Sequence, residues 1–241
     1  MPQAIARPLA ATLGHLCVRG QRQRRAAAWA SSAMAGASLA AAGLLALPAS
    51  AVTLGLTDSF SGGVTAGWTS GGGSPNPPTG VASGGPAGAG DGYLRISSSG
   101  VPGPGGRLIA FSSAPWAGDY ITAGITGITM DLKNLGASDL SLRLYFENAL
   151  TSAYSLLAIP LPAGGGWTPV HFDIRVPALS AAAATTLASA TDFRIYSSAL
   201  AVAPQASPFV AASLGIDNVN AVPEPGAALL LARRRRPVRL A

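Results

Sequence analysis

The sequence has almost no cysteine. Its single thiol, Cys17, lies near the N-terminus, so residues 52–222 contain none. That absence excludes a disulfide framework and a cysteine-based metal site from this part of the chain. A domain without either must be held by an ordinary hydrophobic core, and about 170 residues are enough to bury one.

Enzyme signatures are missing as well. No G-x-S-x-G, G-x-G-x-x-G or Walker sequence occurs, despite 30 glycines. His171, the one histidine of residues 52–222, lies in the alternating sequence PVHFDIR, where an outward polar position explains it. Glycoside hydrolysis needs two carboxylates about 5–10 Å apart. Glu147 with Asp131 or Asp173 is one such pair, but nine acids on one domain produce candidate pairs by chance. We therefore expect no enzyme.

The positive charge is confined to the two ends of the chain. The formal net charge is +6, yet residues 52–222 hold nine acidic and six basic side chains. Five arginines lie within residues 1–25 and five within residues 233–239. A nucleic-acid footprint must lie on the folded domain itself. Nucleic acid is therefore excluded as the expected partner.

Residues 1–51 have the organisation of a secretory signal peptide with a long n-region. Arginines 22, 24 and 25 precede an Ala/Leu-rich run that ends in Ala49-Ser50-Ala51. A charged n-region, an apolar h-region and a small-residue cleavage site occur in this order in signal peptides. Cleavage after Ala51 would leave a chain that starts at Val52. An amphipathic helix is the alternative, but the alanine-rich face lacks a polar stripe. Because the n-region is long, a start further along the chain is a second alternative.

The C-terminal residues form three consecutive parts. Val222-Pro223-Glu224-Pro225 is followed by the apolar segment GAALLLA and then by four arginines, Arg233, Arg234, Arg235 and Arg236. This order resembles the PEP-CTERM sorting signal. The resemblance implies recognition by an exosortase in the inner membrane of a Gram-negative bacterium that makes exopolysaccharide.

The apolar part of this tail, residues 223–241, is shortened. Seven residues separate Pro225 from Arg233, about 10 Å as a helix, whereas a membrane span needs roughly 20 residues. The tail as written cannot span a bilayer. Three explanations keep the sorting role: the signal is degenerate, the sequence has lost the middle of its apolar segment, or the tail acts without inserting into a membrane. The alternative is that the tail is a flexible basic segment with no sorting role.

Between these ends the sequence alternates in short runs. Residues 61–106 are rich in Gly, Pro and Ser, which favour turns and loops. In LSLRLYFE, residues 140–147, apolar and polar side chains alternate with the period of a half-buried strand. One segment, 178–190, favours a short helix. We predict an all-β fold, an antiparallel jelly-roll β-sandwich of about eight strands over residues 52–222. The predicted strands are residues 92–98, 107–113, 127–133, 140–147, 154–161, 169–175, 192–198 and 214–222.

Several short sequences in this region occur in a recognisable order. They are GWTSGG, GYLRIS, APWAGDY, GITGITMDLK, ATDFRIY and LGIDNV. The series resembles laminin type-IV (laminin B) domains and their galactose-binding-like jelly-roll relatives. The resemblance implies that the first and last strands pair and that a structural calcium ion lies near them. Asp58 and Asp217 are the predicted ligands, since calcium prefers hard oxygens. Alternatively, Asp58 caps a turn and Asp217 shapes the strand end.

Aromatic side chains that could stack on a sugar offer another route to function: Trp68, Trp116, Tyr120, Tyr145, Tyr154 and Trp167. Trp68 and Trp116 fall in Gly-rich turns, and Tyr120 follows closely. Such rings can stack on a sugar while their polar ends stay hydrated. The alternative is that they belong to the core.

These observations lead to three hypotheses. The first is an exported, non-enzymatic cell-surface or extracellular-matrix protein, which crosses the inner membrane and is processed by an exosortase. The second is a carbohydrate-binding module that recognises exopolysaccharide. The third and weakest is a polysaccharide-active enzyme.

Overall fold

The computed structural model describes residues 51–175 and 180–223, and most of the regular structure within these ranges is β-strand. The described residues form eleven strands, one α-helix, α1, at Ala181–Leu187, and a short 3-10 helix at Pro204–Ala206. The strands are β1 Thr57–Asp58, β2 Thr79–Val81, β3 Tyr93–Ser99, β4 Ile109–Ser112, β5 Gly127–Asn134, β6 Leu140–Glu147, β7 Ser152–Tyr154, β8 Ile159–Leu161, β9 Thr168–Asp173, β10 Asp192–Ser197 and β11 Ala211–Val222.

The strands form two antiparallel sheets. Sheet A has the order β2-β3-β11-β5-β9, and β1 pairs with the end of β11 beyond β3. Sheet B has the order β4-β10-β6-β7, and β8 pairs with the start of β6. The two sheets enclose one apolar core. The predicted jelly-roll β-sandwich is confirmed, and the first and last strands pair as expected.

Alternation along the strands places the core between the sheets. In β6, Leu142, Leu144 and Phe146 are fully buried, while the alternate residues face outward. In β3, Leu94 and Ile96 point inward and Arg95 is exposed. Period-2 patterning thus identified the inward faces of these strands from sequence.

One predicted strand is wrong. Residues 154–161 do not form a continuous strand but end β7 and supply β8, which pair with opposite ends of β6. The chain bends between them, where the Ser155 hydroxyl donates to the Leu157 carbonyl and accepts from the Leu144 amide. A serine side chain that replaces the ladder hydrogen bond favours such a break.

The Gly/Pro-rich residues 61–106 include two strands, β2 and β3, of which β2 was not predicted. At Gly80, inside β2, a Cβ atom would lie 1.8 Å from the Gly63 carbonyl oxygen. This close approach of two backbone segments requires glycine at position 80. The glycines here therefore serve close packing as well as turns.

Trp68, Trp116 and Tyr120 lie in the core, which corrects the prediction that they contact a ligand. Their exposures are 4%, 0% and 0%. Both indole nitrogens donate to the same oxygen, Asp58 Oδ2, at 2.8 and 2.7 Å, and both rings pack on Phe193. Large rings fill a sandwich core when their polar atoms find partners. Asp58 is that partner.

Asp58 and Asp217 point to opposite faces of sheet A, which corrects their predicted pairing around calcium. Asp58 lies opposite the core residue Val219. Between Asp217 and Asn220 the register of β11 shifts against β5, and Asn218 has a φ of 50°. This β-bulge reverses the alternation, so Asp217 faces outward while Val219 faces the core. Calcium binding itself stays a prediction, which melting with and without EDTA tests.

The α-helix α1 begins where the sequence predicts a helix. The predicted helical segment 178–190 contains α1, and the side chain of Ser180 caps it by accepting from the Ala183 amide. No helix within residues 51–175 or 180–223 is long and apolar enough to cross a membrane.

Candidate functional site

The outer face of sheet B carries a line of planar side chains. Antiparallel register places Phe111 of β4 opposite Arg194 of β10, Arg194 opposite Tyr145 of β6, and Tyr145 opposite Tyr154 of β7. We call these four residues the arginine row. The row crosses four strands, about 14 Å at the usual strand spacing. Phe111 and Tyr154 are half-buried, so two rings remain accessible at its ends.

Arg194 contacts the two neighbouring rings of the row and is itself held by two carboxylates. Its guanidinium carbon lies 5.4 Å from the ring centre of Phe111 and 5.3 Å from that of Tyr145. Its Nε and Nη2 donate to the two carboxylate oxygens of Asp192 at 2.9 and 3.0 Å. Nη2 also pairs with Glu147. Such a bidentate pair leaves the guanidinium little rotational freedom.

The ionisable side chains of this face shift one another's pKa values. Burial raises the pKa of Glu147, and the Tyr145 hydrogen bond and the Arg194 charge offset this only in part. Burial and the hydrogen bond to Glu147 raise the pKa of Tyr145 to about 12. Burial opposes the charge on Arg194, but Asp192 and Glu147 raise its pKa overall. Clustered shifts of this kind are typical of functional sites as well as of structural ion pairs.

A hollow of about 250 Å³ lies beside the row, lined in part by Tyr145, Glu147 and Ser152. Its far wall is the turn 148–151. The Asn148 side chain shapes this turn, since its Oδ1 accepts from the amides of Leu150 and Thr151 at 2.9 and 2.8 Å. The turn is therefore fixed in place next to the charged residues.

Loops close the other end of the face. Arg143 is buried and donates to the carbonyls of Ser155 and Ala199. Tyr196 is also buried, with its hydroxyl donating to the Val202 carbonyl. These two side chains face each other in the next register row on the same face. Backbone carbonyls already accept from the terminal nitrogens of Arg143 and from the Tyr196 hydroxyl, while Arg143 Nε is buried without a partner among the described residues. A ligand would therefore meet the arginine row and the hollow.

Few of these residues were singled out from the sequence. Tyr145 and Tyr154 belong to the aromatic side chains that could stack on a sugar, but the predicted contacts were Trp68, Trp116 and Tyr120. The row could have been predicted in part from β6 and β10, because every second residue in LSLRLYFE and in DFRIYS points outward. The register between these strands could not be predicted from the sequence.

The predicted carboxylate pairs are not formed. Asp131 and Asp173 belong to sheet A, whereas Glu147 faces outward from sheet B. The carboxylate next to Glu147 is that of Asp192, with Arg194 bonded to both. Within the part of the chain that the structure describes, no three His, Cys, Asp or Glu side chains are grouped to hold a metal ion.

No family model and no curated protein sequence matches the chain. Solved structures do resemble it. An exo-β-agarase aligns at 11% identity over 72% of this chain and 25% of its own, with a TM-score of 0.49. A family 11 carbohydrate-binding module from Clostridium thermocellum, in complex with a β-1,3-1,4-mixed-linked tetrasaccharide, aligns at 14% identity over 71% of this chain and 98% of its own, with a TM-score of 0.47.

A tandem of family 22 carbohydrate-binding modules from Paenibacillus barcinonensis also aligns with the chain. The identity is 16%, over 73% of this chain and 48% of that one, with a TM-score of 0.44. The chain thus spans about a quarter of the agarase and about half of the tandem modules. These likenesses concern the fold.

Proposed function

We propose that the chain is an exported, non-catalytic protein that binds a polysaccharide through the outer face of sheet B. The observation that carries the proposal is the arginine row, which has a half-buried ring at each end and a fixed guanidinium between Phe111 and Tyr145. Sugar rings present apolar faces to aromatic side chains and hydroxyls to charged groups at their edges. Arg194 supplies donors, and Asp192 and Glu147 supply acceptors, within reach of the same rings.

The arrangement favours binding over hydrolysis. Glycosidases need one carboxyl group that is free to give up a proton and a second that acts on the sugar or on water. Here Arg194 bonds to both nearby carboxylates, Asp192 and Glu147. Release of reducing sugar by the purified chain would contradict this part of the proposal.

The binding test uses the purified full chain and a panel of polysaccharides. Affinity electrophoresis and titration calorimetry against mixed-linkage β-glucan, xylan, agarose and a uronate-rich polymer would show whether any binds saturably. Saturable binding to at least one polymer is the expected result. If none of the four polymers binds, the proposal that the chain binds a polysaccharide is wrong.

Substitutions in the row are expected to weaken that binding. Tyr154→Ala removes an accessible ring and should lower affinity at least tenfold, since aromatic and arginine side chains dominate binding interfaces. Tyr154→Phe keeps the ring and should bind nearly normally. Arg194→Lys keeps the charge but loses the fork that holds Asp192, and a loss of at least tenfold is expected. Calorimetry gives the affinities and thermal melting checks the fold. Unchanged affinity in both Tyr154→Ala and Arg194→Lys would place the ligand elsewhere.

Export and sorting form the second part of the proposal. Val52 is buried and its amide donates to the Ala117 carbonyl at 2.8 Å, while Ala51 is exposed. Among the described residues, the first buried side chain is therefore that of the residue that follows the predicted cleavage site, which supports cleavage between Ala51 and Val52. At the other end, β11 finishes at Val222. The rest of the predicted sorting motif, Glu224, Pro225 and Arg233 to Arg236, lies outside the described residues, as does most of the predicted signal peptide.

Processing of both ends is directly measurable. In a Gram-negative, exopolysaccharide-producing host that carries an exosortase, we expect the exported chain to start at Val52 and to lack the arginine cluster. Intact-mass spectrometry of the exported protein tests both ends. An Ala49→Asp, Ala51→Asp double variant should remain unprocessed at the N-terminus, and deletion of the exosortase should leave the tail on. A tail that is retained with and without exosortase would refute the sorting assignment.

A further inference from the structure

The outer face of sheet A, on the other side of the sandwich from the arginine row, contains a groove lined by both polar and apolar residues. Its volume is about 500 Å³. Register aligns four of its side chains in one row across four strands, with Asn220 opposite both Thr57 and Thr129, and Thr129 opposite His171. All four line the groove. They present hydroxyl, amide and imidazole groups in a line, the arrangement that a polyhydroxylated chain requires.

An aromatic pair lies on the same face, in the register row next to this groove. Tyr93 and Trp167 meet edge to face with ring centres 5.3 Å apart, and both are half-buried. They lie over Gly215, where a Cβ atom would be 2.8 Å from the Trp167 ring. The indole nitrogen donates to the Gly84 carbonyl at 2.9 Å, which fixes the ring. Asp217 follows Gly215 by two residues on the same face, about 7 Å along the strand, so the rings adjoin the groove.

Two buried oxygens on this face lack a partner. Asn220 Oδ1, in the groove wall, and Asp217 Oδ2, beside it, accept no hydrogen bond from any residue that the structure describes. An unsatisfied buried acceptor costs free energy, and a sugar hydroxyl could donate to the groove-wall oxygen.

Carboxylates in and beside the groove disfavour the binding of acidic sugars. Asp131 lies in its wall, opposite Asp217 in the register, and Asp91 is close enough to act on Asp217. Arg95 and Lys133 lie one register row away, on either side of Gly215. Because the groove end is negative, a uronate would be repelled there, whereas a neutral glycan would not.

We propose that this face is a second glycan-binding site, specific for a neutral polysaccharide, so that one molecule holds two polysaccharide chains. The inference rests on the proposed function of the arginine row and extends it to both faces. The two sheets of a sandwich lie about 10 Å apart, and the two sites face away from each other. The protein would therefore cross-link two long polymer chains rather than only coat one.

The test is a titration of the full chain with neutral hexasaccharides of β-glucan, xylan and agarose. Two molecules of hexasaccharide per protein are expected for the wild type. Trp167→Ala and Tyr154→Ala should each leave one site, and the double variant none. Trp167→Phe, which keeps a ring over Gly215, is the matched control and should keep both sites. With the intact polymer, light scattering should show cross-linked complexes for the wild type and not for Trp167→Ala.

The outcomes separate the two proposals. A stoichiometry of one in the wild type, with Trp167→Ala unchanged, would overturn the second site and leave the arginine row intact. Binding that Trp167→Ala abolishes and Tyr154→Ala leaves unchanged would overturn the arginine row as a site for neutral glycans, and with it the two-site arrangement. Binding of no neutral hexasaccharide would overturn the second site, and the arginine row would be overturned as well if the uronate-rich polymer also failed to bind. A Trp167→Ala variant that melts like the wild type while losing one site would show that the ring binds ligand and is not needed for the fold.

Discussion

Replacing Asp58 by alanine is expected to lower the free energy of unfolding by about 3–5 kcal/mol. The substitution leaves the indole N–H groups of Trp68 and Trp116 buried with no acceptor, and each unsatisfied donor costs about 1–3 kcal/mol. A domain with a total stability of about 5–15 kcal/mol would lose a large part of it. We expect a fall in the melting temperature of about 10 °C or more.

Matched variants isolate the hydrogen bonds from the other effects of the substitution. Asp58→Asn keeps an oxygen that can accept from both indoles and should cost less than half as much. Asp139→Ala removes an exposed carboxylate that accepts from the Ala163 amide, and less than about 1 kcal/mol is expected. In a Trp116→Phe background the cost of Asp58→Ala should shrink, because one donor is already gone. Equal melting temperatures for Asp58→Ala and the wild type would contradict this account.

Replacing Asp217 by asparagine is expected to stabilise the protein at neutral pH. The Asp217 side chain is fully buried, and although Oδ1 accepts from the Asn218 amide, Oδ2 has no partner among the residues that the structure describes. Burial, together with the charges of Asp91 and Asp131, raises the pKa of Asp217 from 3.8 to about 6. Since the native-state pKa exceeds the unfolded value, ionisation of this carboxyl destabilises the fold progressively as pH rises from about 4 to about 6, by its full amount above that range and not at all below it.

The expected gain at pH 7.5 is about 2–3 kcal/mol, because each pKa unit corresponds to about 1.4 kcal/mol. The melting temperature should rise by about 4–10 °C, and the difference should vanish near pH 4. Thermal melting of Asp217→Asn and wild type from pH 4 to 8, in EDTA, measures this, with Asp139→Asn as the exposed control. A variant that is less stable at pH 7.5 in calcium, and not in EDTA, would instead show that Asp217 binds the cation.

Much of the framework follows from local sequence. Alternation in LSLRLYFE and in GYLRISS assigns inward and outward faces because successive side chains of a strand point to opposite sides. Most strand positions could be predicted for this reason, as could the short helix. The expectation of no disulfide followed from the position of the single cysteine, and the expectation of no nucleic-acid partner followed from the positions of the charged residues along the chain. The break at Ser155 was missed because a hydroxyl that takes over a ladder hydrogen bond leaves the apolar pattern unchanged.

Tertiary structure decided the candidate sites. Trp68 and Trp116 follow turn sequences that suit a surface platform, yet they are buried because Asp58, far from Trp116 in sequence, accepts from both. Asp217 faces away from Asp58 because one extra residue in β11 reverses the alternation, and no period-2 analysis detects such a bulge.

The arginine row depends on pairing between strands distant in sequence. Phe111, Tyr145 and Arg194 become neighbours only through the registers of β4, β10 and β6. By itself, the sequence determined which residues point outward from each strand and that a disulfide-free core holds the sandwich. Which outward residues meet was decided by the tertiary structure, because strand register is fixed by packing across the whole core and not by any local pattern.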